Sequence, residues 1–225
     1  MLLAVKKPQR GSFQLAEIYR NWKIPCQVPK HMLEFMTSSE LIRELENRIA
    51  YQIATVIGID GVDGSGKTDL AKKIGDVLRI PVFSIDDFLN KQRGSYLDHL
   101  RYSDLASEIR KVSGAIIIEG VFLLRIAKQI NLEISKLVYV KRKSKSGFYY
   151  DEDIFNAEEP VDNYIKRLNQ ELNQIPDVSF DINDSSNSED TGTKGLDLFT
   201  EQMIRYHAEF KPARIADYVY YRLDT

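Results

Sequence analysis

The sequence predicts an α/β protein built in three layers, a five-stranded parallel sheet flanked by helices, and three observations predict it. Short runs of β-branched and aliphatic residues recur along the chain, each of a length suited to a strand buried on both faces. Segments with apolar residues at helical spacing lie between them. A glycine-rich turn joins the first run to the next helical segment, where a loop can approach an anion closely. At 225 residues the chain has length for one such domain and a small appendage.

Residues 1–37 read as an N-terminal extension of unassigned role, ahead of a main domain over 38–225. Phe13, Ala16, Ile18, Tyr19 and Trp22 fit a short helix that Pro25 and Pro29 interrupt. Cys26 and His31 are too few ligands for a metal site. Thr37-Ser38-Ser39 can cap a helix whose stripe is Leu41, Ile42, Leu45 and Ile49. The first strand runs over 54–59 and leads through the glycine-rich turn to a helix over 69–79. Strands follow at 82–85, 115–118 and 137–140, with a helix over about 103–112 between the first two of these and a shorter helix after the second. Pro160 opens a helix with Val161, Ile165, Leu168 and Leu172 on one face. Leu196, Phe199, Met203 and Ile204 mark another, and 217–221 reads as the fifth strand. Between those helices, 181–195 holds Ile182 as its one aliphatic residue among Asp, Ser, Asn, Thr and Gly, which is the composition of a mobile loop.

Composition removes several functions. The formal charge is −2, from 31 Lys and Arg against 33 Asp and Glu, which disfavours a general nucleic-acid binder. No apolar run approaches the ~20 residues of a membrane span. The opening Met1-Leu2-Leu3-Ala4-Val5 precedes its charges, the wrong order for a signal peptide. One cysteine cannot form an internal disulfide, so the expectation is a cytoplasmic protein.

Gly61-Val62-Asp63-Gly64-Ser65-Gly66-Lys67-Thr68 matches G-x-x-x-x-G-K-[ST] in full, between a strand and a helix. Glycines bring backbone N–H groups close to phosphate oxygens, and the helix that follows adds its positive end. Gly61, Asp63, Gly64, Ser65, Gly66, Lys67 and Thr68 are therefore the expected nucleotide-binding residues. Lys67 can reach the β- and γ-phosphates of ATP, and Thr68 can ligate Mg²⁺. Asp86 follows the second strand and Glu119 the third, and in an open parallel sheet those ends share the edge where ligands bind. Asp86 can take the proton of an attacking hydroxyl; Glu119 can hold Mg²⁺ or polarise the acceptor. Asn90-Lys91-Gln92-Arg93 lacks the aspartate of a guanine-reading signature, so transfer to a small molecule is favoured over a GTPase switch.

Gly58 through Thr68, Ser84-Ile85-Asp86-Asp87-Phe88 and Ile117-Ile118-Glu119-Gly120 resemble the uridine kinase and phosphoribulokinase superfamily of phosphate-loop kinases. Tyr206-His207-Ala208-Glu209-Phe210-Lys211-Pro212 with Ala216-Asp217-Tyr218-Val219 is similar to the closing segment of uridine kinase-like proteins. The resemblance spans about residues 54 to 222 and implies a phosphate-loop kinase fold, ATP-Mg²⁺ as donor, a lid, Asp86 as base and Glu119 serving metal and acceptor. The chain departs from the uridine kinases at Leu89, where they carry an aromatic residue, and in its short segment, about 30 residues, between Phe88 and Glu119. Nicotinamide riboside kinases resemble it almost as well, and pantothenate and glycerate kinases share the core.

Lys141-Arg142-Lys143-Ser144-Lys145 begins the lid of that superfamily, expected here over about 141–160. Its arginines meet the transferring phosphoryl group, a role for Arg142, with Arg167 as the second candidate. His99 and His207 have no evident catalytic partner, and Asp98 is a candidate ribose ligand. The expected activity is phosphoryl transfer from ATP to a hydroxyl of a nucleoside or ribosyl compound. The rival is a nucleotide-binding regulatory protein without transfer. The expected partner is a small nucleoside-like acceptor, with no nucleic acid and no membrane, and a homo-oligomer is left open.

Overall fold

The computed structural model describes residues 32–51, 55–90, 95–143, 155, 159–174 and 195–223. The chain up to residue 31, most of the expected lid (144–154 and 156–158) and residues 181–194 of the expected mobile loop lie outside the described residues. The strands are β1 (Leu33–Phe35), β2 (Val56–Asp60), β3 (Val82–Ser84), β4 (Ile116–Glu119), β5 (Lys136–Lys143) and β6 (Tyr218–Leu223). The helices are α1 (Ser38–Ala50), α2 (Lys67–Leu78), α3 (Tyr102–Arg110), α4 (Leu123–Gln129), α5 (Val161–Gln174), α6 (Leu198–Phe210) and α7 (Pro212–Ile215). Two short 3₁₀ turns, Ile85–Phe88 and Leu97–His99, follow β3.

The strands form one parallel sheet in the order β1-β6-β5-β2-β4-β3. This is the expected α/β architecture with six strands where the sequence predicts five. The added strand is β1, which pairs Leu33 with Tyr218 and Phe35 with Tyr220. Its three residues, centred on Glu34, are too few to show a period, and the partner that makes them a strand lies at the far end of the chain. The Phe35 ring meets Tyr218 edge-on at 5.7 Å.

Parallel strands buried on both faces need apolar side chains on both, and β2, β4 and β5 supply them. On one face, Ile57, Ile59, Val138 and Val140 pack against Leu41 and Leu45 of α1 and Leu70 and Ile74 of α2. On the other, Ile116, Ile118, Leu137 and Tyr139 meet Leu105, Ile126, Met203 and Tyr206 from α3, α4 and α6. Tyr164 and Ile165 seat α5 on Ile204 of α6. Side-chain caps start two of these helices: Thr37 accepts the Glu40 N–H at 3.3 Å, and Asp197 accepts the Thr200 N–H at 2.8 Å. No described helix is long and apolar enough to cross a membrane.

β2 lies between β4 and β5, and from it the chain order runs out in opposite directions along the sheet. That is the switch point where an open α/β sheet forms its binding crevice. The loop between β2 and α2, the turn after β3 and the end of β4 all meet there.

Candidate active site

Residues 61–66 reverse the chain from β2 into α2. Gly64 and Gly66 hold φ of 67° and 94°, a left-handed region that side chains disfavour. A Cβ at Gly66 would also displace the flexible end of the Arg222 side chain. No side chain caps the start of α2, which leaves its first N–H groups and the positive end of its dipole available to an anion.

A cleft of about 1,040 Å³ opens over this loop, and the expected residues Asp63, Gly64, Gly66, Lys67, Thr68, Asp86 and Glu119 all line it. Gly61 and Ser65 are buried and do not line it, and the Ser65 Oγ has no hydrogen-bond partner among the described residues. Arg142, on β5, reaches the rim, where its Nη1 donates to the Gly64 carbonyl at 3.4 Å. Arg167 is engaged elsewhere, paired with Glu159 at 2.9 Å and Glu171 at 2.8 Å and lying over the Tyr164 ring. His207 is buried beside Phe155, Tyr139 and Tyr206, and Asp98 lies on the second 3₁₀ turn, neither lining this cleft.

Lys67 is only 6% exposed, and its ammonium donates to the Val62 carbonyl at 2.7 Å. Burial pulls its pKa down while the charges of Asp60, Glu119, Asp63 and Asp86 hold it up. A phosphate entering the cleft would supply the counter-charge that no described carboxylate brings to contact distance. Glu119, 1% exposed at the end of β4, accepts from the Ser84 hydroxyl at 2.6 Å and from the Thr68 hydroxyl at 3.1 Å. The Thr68 and Glu119 oxygens are thus close enough for one cation to touch both. Among the described residues no group of three or more His, Cys, Asp or Glu side chains forms a metal cage. An oxygen pair with room for phosphate suits Mg²⁺, which is held by one or two protein oxygens together with substrate phosphates.

Several residues of the site were not singled out in the sequence. Tyr96 donates its hydroxyl to Asp86 Oδ1, and its ring packs on Phe122 at 5.4 Å and Phe199 at 5.8 Å. Burial and the neighbouring Asp86 push the Tyr96 pKa up, so the hydroxyl stays a donor. Tyr96, Leu89, Val121 and Phe199 form a largely apolar wall across from the loop. Arg222, at the end of β6, lines the other side and lies 3.6 Å from Asp69. Asp60 was legible in principle, because a carboxylate ending an apolar strand needs a partner. Tyr96 carried no local signal and Phe199 only that of an apolar helix stripe, since only the folding of α6 against the segment after β3 makes them neighbours.

A parallel sheet between helical layers, with a glycine-rich loop between β2 and α2 at its switch point, is consistent with the expected phosphate-loop kinase fold. No family model matches the chain, and no curated protein matches it. Several solved structures are similar, among them these two. A possible uridine kinase from Bacillus stearothermophilus is 16% identical, over 79% of this chain and 99% of that one, with a TM-score of 0.39. A chain from Silicibacter sp. TM1040, provisionally assigned as a fructose transport system kinase, is 15% identical over 82% of this chain and 98% of that one, with a TM-score of 0.37.

Proposed function

We propose that the protein is an ATP-dependent small-molecule kinase that transfers the γ-phosphoryl group to a hydroxyl of a nucleoside or ribosyl compound. One observation carries the reading: the phosphate loop, Asp86 and the Thr68–Glu119 pair face a single cleft with an apolar, partly aromatic wall. Loop amides and Lys67 would bind the phosphates, and Asp86 would orient the acceptor hydroxyl and take its proton. The Tyr96 hydroxyl now occupies the Asp86 oxygen, so an incoming acceptor hydroxyl replaces one donor by another. Arg142, which donates to the Gly64 carbonyl at the loop rim, would meet charge on the transferring group. Mg²⁺ held by Thr68 and Glu119 would neutralise the phosphates. The Tyr96, Phe199 and Val121 wall offers a flat or sugar-like acceptor a surface that excludes water.

Incubation with ATP-Mg²⁺ and a panel of uridine, cytidine, nicotinamide riboside, pantothenate and glycerate, reading ADP release, tests the reading. Acceptor-dependent release by a nucleoside or riboside supports it. ATP binding with no acceptor stimulating turnover would establish the regulatory alternative. In the Asp86→Asn variant we expect turnover to fall about 10³-fold with ATP affinity nearly unchanged; a parallel loss of ATP binding would overturn Asp86 as the base.

A further inference from the structure

Asp60 is the last residue of β2 and fully buried, yet the chemistry proposed above gives it no task. A carboxylate removed from water is costly unless its oxygens find donors, and both do. Oδ1 accepts the Gly61 N–H at 2.7 Å, and Oδ2 accepts the Tyr206 hydroxyl. The Tyr206 oxygen in turn accepts the Leu124 N–H at 3.1 Å, at the start of α4, so its hydrogen is committed to Asp60. The ring has no space to swing away. It is fully buried between Phe122 at 5.5 Å, His207 at 5.5 Å and Phe210 at 5.2 Å.

Lys67 completes the picture. Among the described residues its ammonium has the Val62 carbonyl as hydrogen-bond acceptor and no carboxylate at ion-pair distance, while Asp60 exerts the strongest favourable charge on it. Asp60 thus touches the first amide of the phosphate loop and faces the loop's cation, and Tyr206 holds it in both relations.

We propose that Asp60, clamped by the Tyr206 hydroxyl, is a positioning residue of the phosphate loop that fixes Gly61 and supplies the standing counter-charge for Lys67, and so sets affinity for a triphosphate. The proposal rests on reading the loop as a nucleotide site. It also gives α6 a part at both ends of the cleft, with Phe199 in the wall and Tyr206 under the loop.

Calorimetric titration of the full chain with ATP-Mg²⁺ and separately with AMP tests it, on wild type, Tyr206→Phe, Asp60→Asn and the double variant. AMP lacks the β- and γ-phosphates that meet Lys67, so the ratio of the two affinities separates loop positioning from general damage. Tyr206→Phe is expected to weaken ATP about tenfold, the loss of one hydrogen bond to a charged group, and AMP less than about twofold. The double variant is expected to bind ATP as Asp60→Asn alone does, because Tyr206 acts through the carboxylate that Asp60→Asn has already removed. Thermal melts of each variant report folding. A folded Tyr206→Phe that binds ATP as wild type does, or loses ATP and AMP equally, overturns the proposal. Should Tyr206→Phe fail to fold, the same ratio in Asp60→Asn decides the matter. Wild type that binds neither nucleotide would instead overturn the nucleotide reading itself.

Discussion

Asp60 and His207 are buried titratable groups on either side of Tyr206, and they respond to pH in opposite senses. Desolvation raises the Asp60 pKa to about 6 against the bonds from Tyr206 and Gly61 and the charge of Lys67. The folded protein therefore favours its protonated form, and that stabilisation, full below about pH 4, is lost as pH rises through about 6. Burial lowers the His207 pKa to about 4, with Lys67 pushing the same way. Its contribution is present above about pH 6.5 and lost as pH falls through about 4. Each amounts to about 3 kcal/mol, so in wild type the two nearly cancel over this window. In Asp60→Asn we expect stability to climb from about pH 4 to about pH 7, and in His207→Gln to fall over the same range. Urea denaturation at several pH values reads both slopes; parallel slopes in the two variants would refute the assignment.

At the scale of elements, α2 is constrained at both ends. Its start must present free N–H groups to the cleft, and its body must lie close to β3. Gly75 makes the second contact possible, since a Cβ there would collide with the Val82 Cγ2 and stand 3.1 Å from the Ile80 carbonyl. Alanine in a helix interior gains about 1 kcal/mol over glycine, but overpacking against a stiff β-branched side chain costs about 1–3 kcal/mol. Gly75→Ala should therefore destabilise the protein by about 1 kcal/mol, read as a lowered denaturation midpoint; a stabilised variant would show that β3 yields freely. α6 has a different position. Its apolar stripe was visible in Phe199, Met203 and Ile204, but the stripe does not tell which neighbours it meets. Besides α5, its partners around the cleft come from three separate stretches: Tyr96, the start of α4 and the end of β2.

At the scale of the molecule, the sheet is closed on one side by β1, whose three residues cover the edge of β6. A chain begun at Met32 keeps that strand and a chain begun at Thr37 lacks it. The second is expected to melt several degrees lower, about 1–2 kcal/mol of lost edge pairing and Phe35 burial; equal melting temperatures would show that β6 needs no cover. The parallel sheet, the phosphate loop and the two acidic residues at strand ends were legible because each is a local pattern. A buried strand is a short apolar run, a phosphate loop is a set of glycines before a lysine, and a carboxylate ending an aliphatic run stands out by its cost. By itself the sequence determined the layers of the fold, the glycine-rich loop between β2 and α2 and the edge of the sheet where Asp86 and Glu119 lie. Only the tertiary structure decided that β1 is a strand, that Tyr96 and Phe199 wall the cleft, and that Tyr206 clamps Asp60. Those relations are contacts between segments far apart in the chain, set by how helices and strands pack, and no spacing of residues along the sequence encodes them.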